Sequence, residues 1–280
     1  MANYSRCRQL DEALTALAAE PRVVVAGGTD FYPARVGKPL DEPVLDITGI
    51  QGLRGIEDLG DHYRIGALTT WTDVLRTPLA PLFDGLKLAA REVGGIQVQN
   101  AGTLVGNVCN ASPAADGIPN WLALEARVEL ASVGSHRSLS VAEFVTGNRR
   151  TRRERDELVT ALLVPKPAPG VRSHFLKLGA RHYLVISIVM VSGLLIPDGG
   201  RVAELRVAVG SCSAVARRQP LLEAALRGRP LAALEREVTA DLLGDLNPID
   251  DCRATADYRR EAALILIRRL LRQLAGETLT

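Results

Sequence analysis

Between Leu10 and Ala19 the apolar residues recur at the spacing of one helix face, and Pro21 closes the segment. Arg22 to Ala26 is a short β-branched run that stops at Gly27-Gly28, the pattern of a buried strand entering a tight loop. Tyr63–Leu68 reads as a strand after the turn at Gly60-Asp61, and helical spacing returns at Trp71–Arg76 and Pro81–Val93. From Gly94 to Pro119 the chain is rich in Gly, Asn, Ser and Pro with few charges, so it reads as a long loop. Its apolar members Ile96, Val98, Leu104 and Val108 predict that this loop is ordered. The basic run Asn148–Arg155 reads as a solvated loop rather than a docking patch. Four strand-like runs follow at Leu158–Val164, Ser173–Leu178, Leu184–Leu195 and Arg201–Val209, separated by Pro- and Gly-containing turns. Helical patterns near Ala214–Leu226, Leu231–Leu243 and Thr255–Leu274 end the chain. Strands followed by helices predict an α+β domain from about residue 170 onward.

Composition narrows the function classes. A chain of 280 residues is long enough for two domains with cores of their own. The formal net charge of +2 carries no nucleic-acid footprint, and 4 Phe, 5 Tyr and 2 Trp leave little material for base stacking. No apolar run reaches the ~18 residues of a membrane span; the longest, Tyr183 to Pro197, is broken by Ser187, Ser192 and Gly193. The N-terminus lacks an apolar signal core, so a cytoplasmic protein is expected. Cys7, Cys109, Cys212 and Cys252 stand far apart with no C-x-x-C, and the four His residues show no i, i+4 pair. A metal site is not expected, and any iron–sulfur cluster would sit on another polypeptide.

The familiar nucleotide and hydrolase signatures are missing: no G-x-x-x-x-G-K-[ST], no G-x-G-x-x-G after a strand, no G-x-S-x-G. Two small-residue loops stand out instead. The first is Ala26-Gly27-Gly28-Thr29-Asp30. The second is Gly102-Thr103-Leu104-Val105-Gly106-Asn107, followed by Ala111-Ser112-Pro113-Ala114-Ala115-Asp116. Glycines let backbone N–H groups approach a phosphate closely, and Thr and Asn add neutral donors. Two such loops would suit the two phosphates of a dinucleotide. Neither brings a Lys or Arg, so binding would rest on backbone dipoles. A plain turn is the competing reading of the first loop; composition alone does not name a ligand.

The segments V-A-G-G-T-D-F-Y-P (25–33), I-G-A-L-T-T-W-T-D-V (65–74), G-T-L-V-G-N-V-C-N-A-S-P-A-A-D-G-I-P (102–119) and K-L-G-A-R (177–181) resemble the FAD-binding medium subunits of molybdenum hydroxylases. That group spans xanthine dehydrogenase, carbon monoxide dehydrogenase and 4-hydroxybenzoyl-CoA reductase. The resemblance covers nearly the whole chain, including D-Y-R-R (257–260). It implies an α+β fold: a two-lobed FAD-binding domain of the vanillyl-alcohol oxidase type over 1–168, then a smaller α+β domain with antiparallel sheet and C-terminal helices over 169–280. It implies that Ala26, Gly27, Gly28, Thr29 and Asp30 form the first pyrophosphate loop, and Thr103, Leu104, Val105, Gly106 and Asn107 the second. Asp116 would hold the adenosine side of the cofactor, and Val159 and Lys177 would touch it. Without the resemblance, Lys177 reads equally as a surface lysine. Tyr183 falls near the flavin ring or in the sheet, and the sheet is the expectation.

Two positions depart from the pattern. Val105 stands where the family has a glycine, and a branched side chain there forbids an easy positive φ and would shift one phosphate contact. Gln99-Asn100 replaces the usual Arg-Asn. The cysteine-rich insertion of the 4-hydroxybenzoyl-CoA reductase type is missing. The resemblance implies FAD as cofactor, no acid–base catalytic residue in this chain, and partners in a hetero-oligomer: an iron–sulfur subunit and a molybdenum-cofactor subunit. Electrons would pass from [2Fe-2S] clusters through FAD to NAD, oxygen or a quinone. The alternative is an FAD- or nucleotide-binding scaffold without redox turnover, for which Val105 speaks. A free-standing flavin oxidase is the weakest reading, because nothing resembles a substrate pocket or a flavin-linking His.

Overall fold

The structure, a computed structural model, describes residues 4–276. A three-stranded parallel sheet opens the chain, with Val44–Asp46 between Tyr4–Arg6 and Val23–Val25. The helix Leu10–Ala19 links its outer strands. A reciprocal cap between Gln9 and Glu12 starts that helix, and it buries Ala13, Leu14 and Leu17. Glu20 is already extended, as a residue before proline prefers to be. The apolar cluster beneath takes in Leu53, Leu68, Ala131 and Leu158, so this lobe is packed onto the next.

The second lobe is a five-stranded antiparallel sheet in the order Ile56–Asp58, His62–Gly66, Leu158–Pro165, Arg127–Ser132, Ser135–Ser140. Its central strand Leu158–Pro165 is almost wholly buried, and its pairing with Arg127–Ser132 shifts register between Val159 and Ala161. Such a bulge re-aims side chains, and here it falls beside the cleft described below.

The long loop expected from Gly94 to Pro119 is instead largely helical: Ile96–Ala101, Leu104–Asn110 and the start of Ile118–Ala123. Each helix spans two turns or fewer, too short for hydrophobic periodicity to register, and their glycines and Thr103 serve as caps and connectors. The strands Tyr4–Arg6, Val44–Asp46 and Ile56–Asp58 have three residues each, too few to show the alternation of a strand in the sequence.

The second half is an antiparallel sheet of Arg172–Leu178, Val189–Asp198, Arg201–Gly210 and Arg217–Arg218. Gly199 and Gly200, at φ 53° and 77°, make the two-residue turn that closes its central hairpin. The helix Ala256–Ala275, capped by Thr255 and ended by Gly276, buries Ala263, Ile267, Leu270 and Leu271 with the apolar residues of this sheet. Leu194, Ile196 and Ala208 instead join the core of the first half. The strand expected at Leu184–Leu195 begins only at Val189, and Tyr183 lies in an exposed bend, not in the sheet. Leu231–Leu243 is three short helical pieces rather than one helix, and Ala214–Leu226 begins with the strand Arg217–Arg218 before the helix Pro220–Leu226. Among the described residues no helix is long and apolar enough to cross a membrane.

Candidate functional site

A cleft of about 900 Å³, at the upper end for ligand sites, runs between the two lobes and is flanked by the second half. The two small-residue loops meet in its wall. A Cβ on Gly27 would lie 1.8 Å from the Ala101 carbonyl oxygen, and one on Gly102 would lie 3.2 Å from Thr29 Oγ1. Only a glycine at position 27 allows the backbones to approach this closely, so the loops support each other across more than seventy residues of chain. Gly28 follows at φ 68°, which turns the chain away from the sheet.

The backbone N–H groups of Gly27, Gly28, Thr29 and Asp30 donate to no acceptor among the described residues. Thr103 caps the helix Leu104–Asn110, its hydroxyl accepting from the Gly106 N–H at 3.0 Å. The Asn107 side chain accepts from the Gly117 N–H at 3.2 Å, which ties the second loop to the segment after Asp116. Every residue expected to contact the cofactor lines the cleft except Leu104, which is fully buried in the core, while Ala111, Pro113 and Tyr183 lie off it. Val105 is a residue of that helix and has no positive φ, so the expected conflict at this position does not arise.

The resemblance gives Asp116 and Lys177 separate contacts; the structure joins them. Lys177 Nζ lies 2.7 Å from Asp116 Oδ2 and 3.3 Å from the Glu92 carbonyl, and Ser187 Oγ donates to Asp116 Oδ1 at 2.6 Å. The pair is buried, with side chains 5% and 9% exposed. Burial pushes the Asp116 carboxyl above its usual value, opposed by the Lys177 charge and by the bonds from Lys177 and Ser187. The bond to Ser187 pins the irregular segment whose Leu184, Val185 and Ile186 line the cleft. Cys109 is also on the wall, and desolvation holds its thiol up to about 12, so it stays protonated.

Cations reach the cleft from outside the two loops, which corrects the expectation that backbone dipoles act alone. Arg22, Arg35, Arg149 and Arg153 line it together with Lys177. Arg22 pairs with Glu20, and Arg35 with Glu42. Arg149 and Arg153 have no ion-pair partner among the described residues: they bond to the Asn110 side chain at 2.6 Å and the Glu157 carbonyl at 2.7 Å. The basic run is therefore not all solvated loop. It forms the small hairpin Val145–Gly147 with Arg150–Thr151, and two of its arginines face the cleft. The charge run was visible in the sequence, but no spacing rule separates Arg149 and Arg153 from Arg150, Arg152 and Arg155.

A cleft with free N–H groups on glycine loops and two unpaired guanidiniums fits a ligand bearing a diphosphate. Residues 1–167 match the family described as the FAD binding domain in molybdopterin dehydrogenase. The chain belongs to this family. Residues 174–274 match the CO dehydrogenase flavoprotein C-terminal domain. Among relatives, the nicotinate dehydrogenase FAD-subunit of Eubacterium barkeri is 30% identical over 261 residues, covering 89% of this chain and 87% of its own. The xanthine dehydrogenase FAD-binding subunit of Escherichia coli O157:H7 is 29% identical over 264 residues, 92% and 90% of the two chains. A solved carbon monoxide dehydrogenase from Hydrogenophaga pseudoflava superposes with a TM-score of 0.90 at 26% identity, over 99% of this chain and 98% of that one. As a member of the molybdopterin dehydrogenase FAD-binding family, the chain is an FAD-binding component of an oxidoreductase.

Proposed function

We propose that the cleft is the FAD site and that this chain is the electron-transfer subunit of a multi-subunit molybdenum hydroxylase. The observation that carries this reading is the junction of the two glycine loops, where the unpaired N–H groups of Gly27–Asp30 line one wall while Arg149 and Arg153 line another. FAD supplies the ability to take up electrons from one donor and release them to another. The protein holds it. Gly27–Asp30 offer backbone donors to the diphosphate, Thr103–Asn107 bring the Thr103 and Val105 N–H groups beside them, and the two arginines neutralise its charge. Asp116 and Lys177, spent largely on each other, fix through Ser187 the wall on which the apolar residues Leu184–Ile186 sit, and Val159 adds an apolar contact from the central strand. No side chain of the cleft is needed as a proton donor or acceptor.

In this reading residues 1–168 form the FAD-binding domain and 169–280 the α+β domain covering it. With no close pair of cysteines in the sequence, the [2Fe-2S] clusters belong to one partner and the molybdenum cofactor to another. The complex works in the cytoplasm as a heterotrimer and passes its electrons to an external acceptor: NAD, oxygen or a quinone. The scaffold alternative rested on Val105, and the helical placement of that residue no longer favours it.

The test is direct. Acid treatment of the purified chain should release a flavin that chromatographs as FAD, at one per chain. Gly106→Val should lose it while circular dichroism stays unchanged, because the new Cβ would meet the capping Thr103 hydroxyl at 2.6 Å. Co-expressed with its partners, the parent should show a visible flavin band that bleaches on anaerobic addition of the complex's substrate. Full flavin occupancy in Gly106→Val would remove the second loop from the site, and a flavin that no substrate bleaches would leave only a binding protein.

A further inference from the structure

The Asp257-Tyr258-Arg259-Arg260 motif contributes nothing to the cleft wall, yet Arg259 is only 3% exposed. A guanidinium this deep must be paired and hydrogen-bonded to be tolerated. Its Nη2 donates to Asp251 Oδ1 at 2.8 Å. Its Nη1 donates to two backbone carbonyls, Ile188 at 2.5 Å and Ser211 at 3.2 Å. Asp251 is itself fixed by the N–H groups of Arg253 and Ala254, at 2.8 and 3.3 Å.

Both carbonyls belong to segments that back the cleft. Ile188 ends the irregular stretch whose Leu184, Val185 and Ile186 line the cleft and whose Ser187 bonds Asp116. The Ile188 N–H donates to the Leu178 carbonyl at 2.7 Å, next to Lys177. Ser211 sits in a left-handed conformation at φ 62°, and its N–H donates to the Pro113 carbonyl at 3.0 Å. Pro113 lies between Ser112 and Ala114, both on the cleft wall. One side chain thus fixes, from behind, two stretches of wall that approach each other from opposite halves of the chain.

We propose that Arg259 is a positioning residue of the cofactor cleft: anchored by Asp251, it clamps the Ile188 and Ser211 carbonyls and so sets 184–187 and 112–116 against the bound FAD. The inference rests on the reading of the cleft as the FAD site. Arg268 supplies an internal control. It lies on the same helix and donates to a single carbonyl, that of Val238 at 2.7 and 3.2 Å, which belongs to no cleft segment.

The experiment titrates FAD into the full-length chain stripped of flavin, reading flavin fluorescence for affinity and the visible band for environment. Arg259→Met should weaken FAD at least about tenfold, the equivalent of one lost charge-assisted hydrogen bond, and shift the band. Arg259→Lys, which keeps the charge and can reach one carbonyl, should restore part of both. Arg268→Met should lower the unfolding temperature and leave affinity and band at parent values. Parent-like affinity and spectrum in Arg259→Met would overturn the assignment, and so would an Arg268→Met variant that weakens FAD equally. Should Arg259→Met fail to fold, the decision passes to Asp251→Asn, which keeps the guanidinium but frees it. Weaker FAD binding there supports the clamp, and parent binding refutes it. Failure of the parent to bind FAD, or full binding by Gly106→Val, would instead strike the reading of the cleft itself.

Discussion

Arg153 shows how charge enters a site whose loops have none. Its guanidinium bonds only a carbonyl, that of Glu157, so its positive charge has no ion-pair partner among the described residues and remains available to a ligand. A dinucleotide diphosphate brings anionic oxygens that such a donor would meet with charge-assisted hydrogen bonds. Arg153→Ala should therefore weaken FAD by roughly threefold to tenfold, less than for a buried pair because Arg153 is only half-buried. Its affinity should also depend less steeply on salt than the parent's. Arg155→Ala, two residues on and off the cleft, is the comparison. Fluorescence titrations at several salt concentrations decide: equal losses in both variants would mean that the basic run acts as a diffuse field rather than through one contact. At this scale the glycine loops were legible because small-residue runs are written in the chain, whereas Asp116 and Lys177 were singled out only by the family resemblance. The pairing of Asp116 with Lys177 was not legible, because it depends on how the two halves dock.

Elements were legible where periodicity had room to repeat. Leu10–Ala19 falls where the spacing places it and ends ahead of Pro21, as the sequence predicts. Between 94 and 119 the same rule fails, since helices of six or seven residues complete too few turns to display a face. At Leu184–Ile188 the apolar pattern of a strand continues, but the bond from Ser187 to Asp116 and the clamp on the Ile188 carbonyl hold the chain out of the sheet. The turn before the C-terminal helix carries a pH signature. Against the cost of desolvation, the donors Arg253, Arg259 and Ala254 hold the Asp251 carboxyl down to about 2. A carboxyl whose folded pKa lies below its unfolded value of ~3.9 adds stability that is present above the unfolded pKa and is lost as pH falls through the folded one. The parent should therefore lose more stability between about pH 5 and pH 2 than Asp251→Asn does. Denaturant midpoints measured across that range check it, and parallel curves for the two proteins would show that the carboxylate contributes nothing.

At the scale of the molecule, the halves that a sequence reading separates near residue 168 share a core. Leu194, Ile196 and Ala208 from the second sheet pack in the same cluster as Ile65, Trp121 and Leu162. Polar ties cross the same boundary: Ser192 Oγ donates to Asn120 Oδ1 at 2.9 Å, Ser173 Oγ accepts from the Gly85 N–H at 2.9 Å, and Lys177 is buried against Asp116. Removing the second half would expose that apolar face and leave Asp116 as a buried carboxylate without its cation, a loss that breaking a buried pair makes large. The cleft wall would also lose Lys177 and Leu184–Ile186. The full chain should therefore unfold in a single calorimetric transition, and added FAD should raise that transition as a whole, because the ligand binds only the folded form. Residues 1–168 produced alone should aggregate or remain partly unfolded and should not retain FAD. Two separated transitions in the parent, only one of them moved by FAD, would mean that the halves fold independently and that the shared cluster contributes little to their docking. A soluble 1–168 fragment that binds FAD as tightly as the full chain would place the whole cofactor site on the first half, and the second would then serve the partners rather than the flavin.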